Sequence, residues 1–167
     1  MAPSRTPGVD VRGAVRADLP KILWFLRRKA AFDGGTLRAT REGLARALFV
    51  RRPRCGVLLA EREGSVAGFA FYFETFSSFQ GGPCLWLDDL YVVPGSRGAG
   101  VGTALLARLA RIAVRRGCSR IDWTVNTSNG RAIRFYRGRG ARVKAGTRLC
   151  RLDEADLRAL ATSRAGT

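Results

Sequence analysis

Three glycines at alternate positions, Gly98, Gly100 and Gly102, lie between an apolar strand pattern and an amphipathic helix pattern. No other stretch constrains the chain so strongly. Upstream, Cys84–Val93 is apolar apart from Asp88-Asp89, and Pro94 stops it. Downstream, Val101, Ala104, Leu105, Leu109, Ile112 and Ala113 recur at helical spacing, and Gly117 supplies the stop. A helix N-terminus exposes four N–H groups without intrahelical partners and carries about half a positive charge. Glycines ahead of it let the backbone approach a bulky anion with no Cβ in the way. Arg97 adds a permanent cation. The junction is therefore expected to cradle a pyrophosphate. Two common phosphate loops do not fit. A P-loop needs a lysine after its glycines, and a dinucleotide fingerprint would put its third glycine at 103, where Thr103 stands. The acid that would hold a ribose is missing too, since Arg115-Arg116-Gly117 occupy that region.

The rest of the chain supplies a sheet and helices for this junction. Val9–Val15 reads as a strand. Asp18 is expected to cap a helix carrying Ile22, Leu23, Leu26 and Ala30, which ends near Asp33-Gly34-Gly35. Thr40 opens a second helix, with Leu44, Ala47 and Leu48 on its apolar side. Cys55–Arg62 and Val66–Phe76 read as a hairpin about Glu63-Gly64-Ser65. Ile121–Val125 is a further strand, and Asn129 starts a helix with Ile133, Phe135 and Tyr136 that ends at Gly138 or Gly140. Short strands near Ala141–Val143 and Arg148–Leu152, then a helix from Asp153, complete the order. The expected class is mixed α+β, with helices on the faces of one sheet. Residues 1–8 read as a frayed tail, 9–152 as a single domain and 153–167 as a C-terminal helix or tail.

Composition narrows the chemistry. The chain has no histidine, which removes His-based triads and His metal sites, and no metal is expected. Catalysis must run on carboxylates, Tyr, Ser/Thr, Cys, backbone N–H groups or a cofactor. Cys55, Cys84, Cys118 and Cys150 are widely spaced and read as free thiols of a cytoplasmic protein. No apolar run nears the ~18–20 residues of a membrane span. Met1–Gly8 has no apolar segment of the secretory kind, so no membrane partner or secretion is expected. The net charge is +17, and all but Lys21, Lys29 and Lys144 of the 30 basic residues are arginine. That charge favours anionic partners, yet no basic block with interleaved aromatics appears, so nucleic acid is not the expected partner.

Arg97-x-x-Gly100-x-Gly102, directly after Leu90-Tyr91-Val92-Val93-Pro94, resembles the acetyl-CoA motif of the GNAT N-acetyltransferases. Asn129-x-x-Ala132-x-x-Phe135-Tyr136-x-x-x-Gly140 is similar to that family's next block. The likeness extends toward the diamine (spermidine/spermine) and thialysine branch through Phe69–Phe73, Thr75–Gly81, Leu87–Val92 and the stretch Lys29-Ala30-Ala31-Phe32-Asp33. The resemblance implies a splayed, mostly antiparallel sheet of six to seven strands flanked by about four helices. It implies acetyl-CoA as co-substrate, a small-molecule amine as acceptor and a homodimer. The backbone of Leu90, Tyr91 and Val92 would bind the pantetheine arm. The N–H groups of Gly98, Ala99, Gly100, Val101, Gly102 and Thr103, with Arg97, would bind the pyrophosphate. Asn129 would contact the far end of the cofactor, and Tyr136 would protonate the departing thiolate. Phe32, Asp33, Phe79, Asp88 and Asp89 would meet the acceptor, with Asp88 as base.

Two departures bear on the acceptor. Asp88 is one methylene shorter than the glutamate of the branch, so it would act through water or from a shifted strand. Ala145-Gly146-Thr147 stand where the polyamine branch carries acids and a tryptophan, so one substrate-facing acid is lost; the expected acceptor is diamine- or polyamine-like, or amino-acid-like.

The residues themselves support a mechanism. A primary amine of pKa near 10.4 must lose its proton before it attacks, which costs about 4 kcal/mol near neutral pH. Asp88 and Asp89 are the adjacent carboxylates of an apolar strand, and strict alternation would send them to opposite faces. A structural ion pair with an arginine is the competing role for each. Tyr136 has a phenol suited to donation to a thiolate, against a plain core role beside Phe135. A free strand N–H among Leu90–Val92 would serve a thioester oxygen. Three other readings stay open: an acetyltransferase for protein N-termini or lysines, a CoA-binding protein without turnover, and a basic nucleic-acid module.

Overall fold

The apolar run Val57-Leu58-Leu59-Ala60 is buried along its whole length, so its strand must be covered on both faces. The computed structural model, which describes residues 8–162, shows how. In chain order the elements are β1 (Val9–Gly13), α1 (Leu19–Phe32), α2 (Arg41–Leu48), β2 (Cys55–Arg62), β3 (Ser65–Ser77), β4 (Gly82–Val92), α3 (Val101–Arg115), β5 (Ile121–Asp122), α4 (Gly130–Arg137) and α5 (Glu154–Thr162). Single 3-10 turns precede α1 at Arg16–Asp18 and α3 at Pro94–Ser96. The described chain forms two compact units that divide after Thr124.

The first unit is built on a sheet of order β1-β2-β3-β4-β5. All its pairings are antiparallel except β4 with β5, which is parallel and confined to Leu85↔Ile121 and Trp86↔Asp122. Beyond Trp86, residues Leu87–Val92 have β3 as their strand partner among the described residues. This is the expected splay. Alternation sorts the core into two layers. Ile22, Phe25 and Leu26 of α1 and Leu44 and Leu48 of α2 pack on Val57, Leu59, Phe69 and Tyr91. On the opposite face, Val101, Leu105 and Leu109 of α3 pack on Leu58, Ala60, Ala70, Tyr72, Leu85 and Leu87. Each fully buried Leu, Ile or Phe contributes roughly 1.5–3 kcal/mol relative to exposure.

Local signals act as expected at several termini. Thr40 Oγ1 accepts the Gly43 N–H at 3.1 Å and caps α2. Glu63 and Gly64 both take positive φ, 51° and 73°, and close the β2–β3 hairpin. Gly117 at φ 68° follows α3. Asp18 differs from expectation. It stands before α1, but its side chain turns away from the helix to accept from Val15 N–H at 2.9 Å and from the Arg12 guanidinium at 2.6 and 3.0 Å. A nearby guanidinium on β1 outcompetes the first-turn amides for a buried carboxylate.

The mixed α+β class holds, with five strands and five α-helices among the described residues. The extra strands expected near 141–143 and 148–152 are irregular, exposed chain, and the strand at 121 stops at Asp122. So short a segment does not stay extended by itself, because a strand needs a paired neighbour and a covered face. The helix expected from Asp153 forms as α5 in the second unit. No helix among the described residues is long and apolar enough to cross a membrane. The tail expected at the start, up to residue 7, and residues 163–167 lie outside the described residues.

Candidate active site

Helix α3 begins where the sequence places its glycines. Val101, 1% exposed, anchors the first turn in the core, and Gly100 is the cap residue at φ 83°. Gly98 takes φ 85°. Both angles lie in the left-handed region that glycine adopts without a Cβ penalty. A Cβ built on Gly98 would meet nothing within 4 Å, so the loop opens onto free space. Gly100 offers no side-chain acceptor to the first-turn amides. The start of α3 thus has no side-chain cap at Gly100, and its helix dipole favours an anion there.

Arg97 is fixed beside this helix start. Its Nε donates to the Val92 carbonyl at 3.0 Å. Its guanidinium lies 5.6 Å from the Phe32 ring centroid and 5.7 Å from that of Tyr91. Two ring faces and a carbonyl hold the cation in place. Gly68 on β3 seats the helix: a Cβ there would come within 2.9 Å of both the Tyr91 carbonyl oxygen and Val101 Cγ1.

The carboxylates of β4 do not obey simple alternation. Tyr72 pairs with Leu87 and Phe71 with Asp89, which leaves Asp88 as an extra residue in a β-bulge. A bulge re-aims the side chains around it. Asp89 stands opposite Phe71, on the face covered by α1 and α2. Asp88 is exposed. Its charge raises the thiol of Cys55, on that same face, second to the effect of burial, and adds to the upward shift at Asp89. The expectation that the two acids diverge is therefore corrected: the inserted residue brings both toward the α1/α2 side.

Asp89 is tied to α1. Lys29 Nζ lies 3.4 Å from Asp89 Oδ1 and is also paired with Asp33, one turn further along the helix. Burial pushes the Asp89 carboxyl above its ordinary range; Lys29 pulls it back, while Asp88 and Asp33 push the same way as burial. At Lys29, burial opposes the charge but Asp33 and Asp89 outweigh it, so the ammonium is held above its usual range. Both shifts run upward, which favours the Lys29 charge and opposes the Asp89 charge, because one ammonium shared by two acids does not fully offset the burial of Asp89. Asp88 has no ion pair among the described residues. Lys29 is the residue whose role sequence reasoning missed. Its spacing of four from Asp33 was visible, but its reach to β4 was not.

The other expected residues are placed as follows. Phe32 is 56% exposed at the end of α1, its ring 6.4 Å from that of Tyr91. Phe79 is 97% exposed in the turn between β3 and β4. That turn is about 20 Å along the strand from the Phe71–Asp89 pair, at ~3.3 Å per residue, so one chain does not bring Phe79 to the carboxylates. Leu90, Tyr91 and Val92 lie on the part of β4 that β5 leaves uncovered. In the second unit, Asn129 Oδ1 accepts the Ala132 N–H at 3.0 Å and caps α4. Tyr136 on α4 is buried, and burial pushes its phenol up to about 12.

Comparison with known proteins agrees with this geometry. Residues 21–141 match the model of the acetyltransferase (GNAT) family. The thialysine N-epsilon-acetyltransferase of Mus musculus is 30% identical over 141 residues, 78% of this chain and 82% of that protein. The spermidine/spermine N(1)-acetyltransferase-like protein 1 of Homo sapiens is 31% identical over 79% of this chain, which spans only 20% of that longer protein. An integron cassette protein from the mobile metagenome of V. cholerae has a solved structure that superposes with a TM-score of 0.76 at 28% identity, covering 93% of this chain and 99% of that one. A glycine-opened helix start beside a splayed strand, a family match over most of the chain and an acetyltransferase relative covered over 82% of its length lead to one assignment: the chain belongs to the GNAT family and is an N-acetyltransferase.

Proposed function

We propose that this N-acetyltransferase transfers the acetyl group of acetyl-CoA to the primary amine of a small molecule, by direct attack in a ternary complex. The observation that carries the reading is the opening at Gly98 and Gly100, where both glycines take positive φ and no atom lies within 4 Å of a Cβ built on Gly98. That shape fits a diphosphate. Gly98, Ala99, Gly100, Val101, Gly102 and Thr103 would hold it with their N–H groups, Arg97 would add charge, and Asn129 would contact the far end of the cofactor. The bound acetyl-CoA supplies an activated acyl carbon. The main chain of Leu90, Tyr91 and Val92 would position the pantetheine arm and offer an N–H to the acyl oxygen.

Asp88 accepts the proton of the incoming ammonium, through water where its short side chain falls short. Tyr136 is the acid for the leaving thiolate. Burial makes the phenol a weaker acid, so it carries its proton at neutral pH and gives it up only as negative charge develops on the departing sulfur. Phe32, Asp33 and Asp89 line the acceptor side, and Phe79 would reach an acceptor only from another copy in a homodimer. The relatives named for thialysine and for spermidine/spermine support an amine acceptor. Four free cysteines accord with a cytoplasmic setting.

The test is a thermal melt with and without acetyl-CoA, followed by turnover over an amine panel. At about 100 times its Kd, the cofactor should stabilise the protein by ~2.7 kcal/mol. A melting temperature indifferent to acetyl-CoA and to CoA would refute the proposal.

A further inference from the structure

We infer that Lys29 is a specificity-determining residue that selects acceptors with a single cationic nitrogen and discriminates against di- and polyamines. The inference rests on the proposed acetyl transfer and deepens it.

The acceptor side of β4 and α1 carries three acids: Asp33, Asp88 and Asp89. A diamine needs two of them, one for the reacting nitrogen and one for the remote ammonium. Lys29 already occupies a pair. Its Nζ is 3.4 Å from Asp89 Oδ1 and in contact with Asp33, so the chain's own ammonium sits where a second substrate ammonium would pair. The side chain is held for this role, because Lys29 and Asp89 are each only 21% exposed and the lysine stem leaves α1 beside the core face that packs on Tyr91. Burial works against the Lys29 charge, yet the two carboxylates hold it protonated. The ammonium is thus a permanent occupant at neutral pH. Asp88, exposed and without an ion pair among the described residues, remains for one incoming ammonium.

Two acceptors of equal length separate the alternatives: 1,4-diaminobutane and 4-amino-1-butanol, which differ by one terminal nitrogen. The readout is the ratio of kcat/KM for the monoamine to that for the diamine. The natural chain should favour the amino alcohol. Lys29→Met keeps the apolar stem and removes the charge, and should shift the ratio toward the diamine by about 10- to 100-fold, the range of one charge-assisted hydrogen bond. Lys29→Arg should retain the original preference. A cofactor-induced rise in melting temperature in each variant shows that it is folded and loaded. A natural chain that prefers the diamine, or a ratio unchanged in Lys29→Met, overturns the role of Lys29 while leaving acetyl transfer standing. Absence of turnover with both amines despite cofactor protection overturns it as well. Absence of any cofactor protection removes the parent reading and this one together.

Discussion

Replacing Gly68 by alanine would place a Cβ 2.9 Å from the Tyr91 carbonyl oxygen and 2.9 Å from Val101 Cγ1, with Leu105 Cδ1 at 3.3 Å. The carbonyl belongs to paired strand backbone and does not yield, so relief must come from α3. An ordinary contact needs about 0.5 Å more room, and a close-packed interior passes such a shift on rather than absorbing it. Overpacking of this kind costs about 1–3 kcal/mol. At ~2–4 °C per kcal/mol for a chain of this length, the melting temperature should fall by about 2–12 °C. Val101 opens the helix whose first amides are the proposed diphosphate donors, so the same displacement should misalign them. Loss of about one hydrogen bond, ~1 kcal/mol, corresponds to a rise in KM for acetyl-CoA of roughly 5-fold. Calorimetry and steady-state kinetics on Gly68→Ala read both effects. A variant that melts with the wild type and binds acetyl-CoA unchanged would show that the β3–α3 contact does not seat the loop, and the reasoning would fail.

Gly98→Ala isolates the loop: with φ 85° and no neighbour within 4 Å, it should lose only ~1–2 kcal/mol to backbone strain, while KM for acetyl-CoA rises as a Cβ enters the opening. Tyr136→Phe should lower kcat by about 10²–10⁴-fold with little change in KM, because it removes the proposed proton donor. The Tyr136 phenol also titrates higher in the folded chain than the unfolded value near 10, so its stabilising effect is complete below pH 10 and is lost as pH rises toward about 12; alkaline melts of wild type and Tyr136→Phe should diverge in that window. The Asp18 carboxyl is held below its ordinary range chiefly by the Arg12 hydrogen bonds, so its contribution is present above the unfolded value of about 3.9 and fades as pH falls through the folded one; Asp18→Asn should cost ~2 kcal/mol at pH 7 and less in acid, read by urea unfolding at several pH values.

Much of the frame was legible because its signals are local. The glycine triplet, the 3.6-residue pattern of α3, the Thr40 cap and the Glu63-Gly64 turn each act within a few residues, and each appears where the sequence put it. What escaped depends on partners far along the chain. The β-bulge at Asp88 is a property of how β4 registers on β3, and nothing within Leu87-Asp88-Asp89-Leu90 announces it. Asp18 has a capping residue's position, but its carboxylate is taken by Arg12, six residues earlier. Lys29 meets Asp89 only because α1 lies across that face of the sheet. The strand expected at 148–152 misled for the opposite reason, as a short local pattern with no neighbouring strand to confirm it.

The extra residue in β4 has an evolutionary consequence. Swapping one acid for another changes reach by a methylene, but losing or gaining a residue at 88 exchanges inside for outside along half a strand. Leu85 and Leu87, now packed in the layer under α3, would have to turn to the opposite face. Lineages built on this scaffold are thus free to alter which acids stand at 88 and 89, while the length of the strand that bears them is locked by everything packed behind it.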